Sequence, residues 1–226
     1  MYPFDGSFII LIPAILFALY AQNKVKSTFA KFLRVAAKKG YSGREVARAI
    51  LDQHHLQNVP VEMAQGYLSD HYDPRNRVLR LSREVYQGTS IAAISVAAHE
   101  VGHALQHANG YAPLSMRNAI FPIARFGSSM AWFFVIGGFL FDSLGLIDVG
   151  ILLYAAAVMF QIVTLPVEFN ASNRALMLLT DNGYLANDEV KNSKKVLNAA
   201  ALTYVAAMAT ALAQLFRLIL LRNRRS

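Results

Sequence analysis

The stretch IAAISVAAHEVGHALQHA, residues 91–108, decides the reading of this chain. Thr89 or Ser90 just before it offers a side-chain oxygen of the kind that caps a helix N-terminus, and Asn109 with Gly110 just after it supplies a stop. The segment between them therefore reads as one helix. Inside it, His99, Glu100, Val101, Gly102 and His103 match H-E-x-x-H. Two His four positions apart share a helix face, so both imidazoles can point at a common metal ion. Glu100, one position on, cannot reach the same ligand point. It can lean over the ion's open side, take a proton from an attacking water and deliver it to a leaving amine. With six His and six Glu among 226 residues, chance placement gives this pattern in roughly half a percent of such chains, before a helix is required.

A catalytic zinc usually takes three protein ligands, and the chain contains no Cys, so the third must be His, Asp or Glu. His107 lies one turn beyond His103. Eight residues of helix rise about 12 Å, however, too far for His99 and His107 to share an ion with bonds of about 2 Å. His107 is expected at the surface or behind the ligands. The metzincin spacing requires Gly at 106 and His at 109, where this chain has Gln106 and Asn109. The better candidate is Glu168 in LPVEFNASNRALMLL, where Pro166 is expected to open a helix and place Glu168 in its first turn. From position alone, an acid at a helix N-terminus favoured by the dipole explains Glu168 as well as a ligand does.

Outward from these residues the chain is 55% hydrophobic and 16% charged, too apolar for an ordinary soluble domain and too interrupted for a pure membrane bundle. Four apolar stretches, roughly 7–22, 127–146, 149–165 and 198–221, read as membrane segments. The first has no basic prelude and no clear small-x-small cleavage site, so it reads as an uncleaved anchor, with Tyr2, Phe4 and Tyr20 as interfacial aromatics. The second and third form a hairpin whose connection carries Asp142 and Asp148 and no cation. The net charge of +8 gathers beside the apolar runs, at Lys24, Lys26, Lys31, Arg34, Lys38 and Lys39 and at Arg222, Arg224 and Arg225. That is a membrane-flank pattern, and no nucleic-acid-binding motif accompanies it. The positive-inside rule puts residues 23–118 and the segment after Pro166 on the cytoplasmic side. The last stretch fits less well: if it crosses, three Arg end outside and Arg217 sits in the apolar run, so crossing and lying along the interface both stay open.

The expected fold is mainly α, with multi-span membrane helices, a zincin-like helix and a small β-sheet in the polar region. The expected divisions are 1–22 (anchor), 23–118 (polar region with the H-E-x-x-H helix), 119–166 (transmembrane hairpin), 167–197 (helix with the third ligand) and 198–226 (C-terminal membrane helix and basic tail). In the polar region, residues 42–45 (SGRE) read as a capping box opening a helix. Residues 59–63 and 77–82 read as strands, the first placed at an edge by Pro60. Asp70, His71, Tyr72 and Asp73 read as a tight turn before the second strand, with His71 or Tyr72 available to an oxyanion. The 77–82 strand is the expected receiver of an extended substrate.

Taken together, SIAAISVAAHEVGHALQH, the earlier YLSDHYDPRNRVLRLS and the later EFNASNRAL closely resemble the YugP-like family of neutral membrane zinc metallopeptidases, across most of residues 40–180. A more distant resemblance links them to gluzincin membrane proteases that process prenylated or misfolded membrane proteins. The resemblance implies that His99, His103 and Glu168 hold one zinc per chain, that Glu100 is the base, and that Glu168 belongs to an E-x-x-A-[SD] helix. Distant relatives carry Asp at the final position, where it braces a ligating His; this chain has Ser172, with Asn170 and Arg174 as possible substitutes. The resulting expectation is a zinc endopeptidase of a prokaryotic plasma membrane, with its active site on the cytoplasmic side. Its partners would be a peptide or membrane-protein substrate and membrane lipid, with no nucleic acid. A zinc-bound scaffold or chaperone without turnover, and an intramembrane-cleaving protease, are the competing readings. Oligomeric state is not legible.

Overall fold

The computed structural model of the chain describes residues 6–225, so the expected roles of Tyr2 and Phe4 lie outside the described residues. A 3-10 turn, Gly6–Ile10, leads into α1 (Leu11–Leu33), followed by α2 (Gly43–Gln53), β1 (Val61–Ala64), β2 (His71–Asp73), β3 (Val78–Ser82) and the single-turn α3 (Arg83–Tyr86). Four longer helices complete the chain: α4 (Ile91–Ala108), α5 (Ala112–Leu140), α6 (Leu144–Asp181) and α7 (Val190–Asn223). The mainly α, multi-span architecture with a small sheet is as expected. The described residues divide into two compact units, one of residues 6–22, 112–166 and 203–225, the other of residues 23–111 and 167–202.

In the first unit the helices are apolar on their outer faces as well as their inner ones. Ile9, Leu16, Ile123, Phe126, Phe133, Leu140 and Leu152 are all exposed, a distribution that water does not tolerate and lipid does. The helix containing Gly6–Leu33, together with α5, α6 and α7, is long and apolar enough to cross a membrane; three of the four expected stretches lie within these helices, whereas 127–146 runs past the end of α5 at Leu140 and into α6. Small residues bring α5 and α6 together. A Cβ on Gly127 would stand 2.7 Å from the Leu153 carbonyl, and one on Gly150 would stand 2.9 Å from that of Ala131. The connection between α5 and α6 turns at Asp142, in left-handed conformation at φ 53°. At this tip Arg222 pairs with Asp148 at 2.9 Å and Arg225 with Asp142 at 3.1 Å. Arg217 donates to Ser7 Oγ at 3.1 Å and lies over the Phe8 ring. The basic end of α7 is thus answered by the acids of the hairpin tip.

The second unit has an ordinary packed core. Ser42 caps α2 with both halves of a capping box, and Val46, Ala47, Ile50 and Leu51 are fully buried along one face. That face meets α4, whose Ala92, Ala93, Ala97, Ala98 and Val101 are buried because small side chains allow close helix approach. Residues 35–37 pair with the start of α4: Ala37 N–H donates to the Thr89 carbonyl and Ile91 N–H to that of Val35. The sheet order is β1-β3-β2, parallel between β1 and β3 and antiparallel between β3 and β2.

Three expectations need correction. β3 is the central strand, paired on both sides, so residues 77–82 have no free edge for a substrate. Residues 71–73 form strand β2 because Tyr72 pairs with Leu79; the turn begins only at Asp73, whose carboxylate accepts from the Arg75 and Asn76 N–H groups. Pro166 does not open a helix but lies within α6. Helix continues past it because Val167, Ala171, Ala175 and Leu179, one turn apart, are all fully buried, and that packing outweighs the single hydrogen bond a proline removes.

Candidate metal centre

Two helices of the second unit build the site. Ser90 Oγ accepts from Ala93 N–H and fixes the start of α4. Two turns later the helix presents His99 and His103 side by side, their rings 4.8 Å apart and nearly perpendicular. α6 crosses α4 at Gly102, where an added Cβ would stand 2.9 Å from the Ala171 carbonyl. Only glycine allows this approach, which brings Glu168, one turn before Ala171, level with the two His.

Glu168 Oε2 lies 3.3 Å from His99 Nε2 and 3.5 Å from His103 Nε2, and the ligand atoms of all three residues lie within 4.8 Å of one another. Ligands at the vertices of a tetrahedron with bonds of about 2 Å stand roughly 3.3 Å apart, so the spacing fits a zinc-sized ion. The donor set of two imidazole nitrogens and a carboxylate suits zinc as well. Glu168 is only 2% exposed, and carboxylates are rarely buried so deeply without a charged partner.

The outward ring nitrogens are also held. His103 Nδ1 donates to Gln106 Oε1 at 3.0 Å, and Gln106, fully buried, donates through Nε2 to the Val167 carbonyl and to Asn170 Oδ1. Asn170 Oδ1 also accepts from Arg174 Nε at 2.8 Å. His99 Nδ1 and Ser172 Oγ form a hydrogen bond of 3.2 Å. Because an amide oxygen only accepts, Gln106 holds the proton on His103 Nδ1 and leaves the Nε2 lone pair facing Glu168, and the Ser172 hydroxyl accommodates the same tautomer of His99. Ser172 thus contacts His99 directly, while Asn170 and Arg174 act one layer further out through Gln106.

Glu100 is buried on the same helix, and one of its carboxylate oxygens accepts from the backbone N–H of Tyr72 at 3.0 Å. Burial, the largest influence, pushes the Glu100 carboxyl up to about 7; a protonated His99 would oppose this, Glu168 and Asp70 add to it, and the Tyr72 N–H opposes it. Because Tyr72 N–H points away from β3 toward Glu100, the free edge of β2 faces the site.

The other sequence candidates lie elsewhere. His107 Nδ1 bonds the Tyr72 hydroxyl at 2.9 Å, which occupies the oxyanion candidate Tyr72 as well. His71 is exposed and donates to the Ser69 carbonyl. Asp70 accepts from the Ser82 N–H and hydroxyl, bracing β3. Glu189 is buried but accepts from the Lys38 and Ala186 N–H groups. Sequence reasoning missed Gln106, treating it only as a mismatch to another zinc pattern. Its one legible signal was its place three residues after His103, on the same face. The Tyr72 N–H had no sequence signal, since it depends on strand register.

The sequence pattern of one protein family, described as "Putative neutral zinc metallopeptidase", matches residues 7–223. A protein of Bacillus subtilis (strain 168) described as "Putative membrane protease YugP" is 52% identical over 210 residues, covering 93% of each chain. No solved structure matches the chain. A match that runs through every membrane helix and both metal-facing helices leaves one assignment: the chain belongs to the neutral zinc metallopeptidase family of that description.

Proposed function

We propose that this chain is a membrane-embedded zinc endopeptidase in which His99, His103 and Glu168 hold one ion and Glu100 is the general base. The observation that carries this reading is the convergence of three ligand atoms within 4.8 Å, with both imidazoles fixed from behind by Gln106 and Ser172. Zinc, when bound, polarises a scissile carbonyl and makes a water molecule more acidic. The chain's own residues do the rest. The Tyr72 N–H holds one oxygen of the Glu100 carboxylate and leaves the other free to accept a proton from water. Glu100 then returns that proton to the amine of the departing segment. A carboxyl raised to about 7 suits both halves of this exchange, because it neither holds the proton too weakly nor too strongly near neutral pH. The substrate backbone lies along the free edge of β2, where the Tyr72 carbonyl points the same way as its N–H, rather than along β3. The basic residues between 24 and 39 support a cytoplasmic position for this site by the positive-inside rule.

The test is metal content set beside turnover. The parent binds about one zinc per chain by elemental analysis, and His99→Ala, His103→Ala and Glu168→Gln each lose most of it, because two remaining ligands hold an ion poorly. Glu100→Gln keeps the zinc and loses peptidase activity by about 10²–10⁴-fold. Zinc retained in any of the three ligand variants, or activity retained in Glu100→Gln, rejects the assignment.

A further inference from the structure

A second cluster of charge lies apart from the metal centre, in the groove between α1 and α7 within the second unit. It forms a cavity of about 610 Å³ lined by Lys24, Ser27, Thr28 and Lys31 from α1 and by Lys195 and Asn198 from α7, with Phe32, Ala199 and Leu202 as its apolar wall. The α1 residues fall at successive turns of one face, and so do those of α7, so the two stripes present their donors toward each other. Lys31 Nζ and Lys195 Nζ both lie over the ring of Phe32, at 5.6 Å and 5.9 Å from its centroid. Phe32 is itself buried, so this ring fixes where the two ammonium groups meet.

No carboxylate lines the cavity, and among the described residues none forms an ion pair with Lys24, Lys31 or Lys195. Three other cations of the same unit are answered: Lys38 by Asp188, Arg48 by Asp52, and Arg80 by Glu62 and Asp73. Three like charges gathered on one groove repel unless an anion joins them. The hydroxyl of Thr28 and the amide of Asn198 add neutral donors, which suits a phosphate with several acceptor oxygens; the Ser27 hydroxyl already donates to the Lys24 carbonyl. The groove also falls where each helix changes character. The apolar run 7–22 ends just before Lys24, and the apolar run of α7 begins just after Asn198. In a membrane the Lys24 end of the groove lies at headgroup depth, with Leu202 leading toward the acyl chains.

We propose that this groove binds the phosphate of an anionic phospholipid. The donor set is a phosphate site in general; the placement at the end of two apolar helices selects lipid over a free phosphate.

The test is native mass spectrometry of the full chain in neutral detergent, titrated separately with phosphatidylglycerol, phosphatidylcholine and inorganic phosphate. The parent retains one phosphatidylglycerol and binds phosphatidylcholine, whose choline is repelled by the lysines, distinctly more weakly. Exchanging Lys24, Lys31 and Lys195 together for Gln weakens phosphatidylglycerol binding on the order of a hundredfold. Lys26→Gln with Lys194→Gln, exposed on the same two helices but outside the cavity, leaves it unchanged. Acylation of the parent gives an independent readout that needs no variant: phosphatidylglycerol slows modification of Lys31 and Lys195 relative to Lys26. Equal binding by the triple variant and the parent, equal binding of the two lipids, or no protection of Lys31 and Lys195 overturns the proposal. Binding and protection by inorganic phosphate as strong as by phosphatidylglycerol overturns the lipid assignment and leaves a soluble phosphate as the ligand.

Discussion

At the residue scale, the two histidines of the candidate metal centre are oriented by neighbours outside the proposed ligand set. Gln106 Oε1 accepts from His103 and fixes the tautomer that leaves its Nε2 free, and Ser172 Oγ is hydrogen-bonded to His99 Nδ1 on the ring edge away from Glu168. Ser172→Ala and Gln106→Met should each weaken zinc binding by about 10–100-fold while the fold persists, measured by competition with a chelator. Unchanged affinity in both would show that the imidazoles hold their orientation without these bonds. The base has a pH signature of its own. Glu100 must be ionised to accept a proton, so kcat/KM should rise with pH through its pKa. Burial holds that carboxyl near about 7 in the metal-free site, and a cation beside it favours the ionised form. The acidic limb should therefore fall between the ordinary 4.5 and about 7. A rate still falling steeply below that window would point to another base.

At the element scale, the site depends on how closely α6 approaches α4. The Gly102 to Ala171 contact sets that distance, and both groups that a Cβ on Gly102 would meet first are backbone, at 2.9 Å and 3.2 Å. Backbone cannot rotate aside as a side chain can. Gly102→Ala should therefore cost about 1–3 kcal/mol of stability and also lower zinc affinity, since α6 carries both Glu168 and Ser172. Gly145→Ala, where the nearest atom to a new Cβ is the Ser143 hydroxyl at 4.0 Å, should change neither thermal melting nor zinc content. A Gly102→Ala chain with parental affinity would mean that the helices part without moving the ligands.

At the scale of the whole molecule, the unresolved end of the sequence reading was α7. Four crossing helices leave the basic C-terminal residues on the same side as the tip between α5 and α6, where the positive-inside rule disfavours them. Pairing of Arg222 with Asp148 and of Arg225 with Asp142 offsets that penalty, because the charges are answered locally. Cysteine placed at Gln53 should then resist an impermeant thiol reagent added to intact cells, while cysteine at Gly145 should react. Reversed labelling would invert the orientation and move the metal centre to the outer face.

The sequence by itself determined the H-E-x-x-H helix with its caps, the four apolar stretches and the capping box of α2. Each of these is written in residues at most a few turns apart, where periodicity and capping chemistry act directly. It also singled out Glu168, though for a wrong local reason, since Pro166 was expected to begin a helix and instead lies inside one. Only the tertiary structure decided that β3 is central, that β2 turns its free edge and the Tyr72 N–H toward Glu100, and that Gln106 rather than His107 stands behind His103. Those outcomes depend on strand register and on the closeness of two helices sixty residues apart, which are set by packing across the whole core and leave no mark in any short window of sequence.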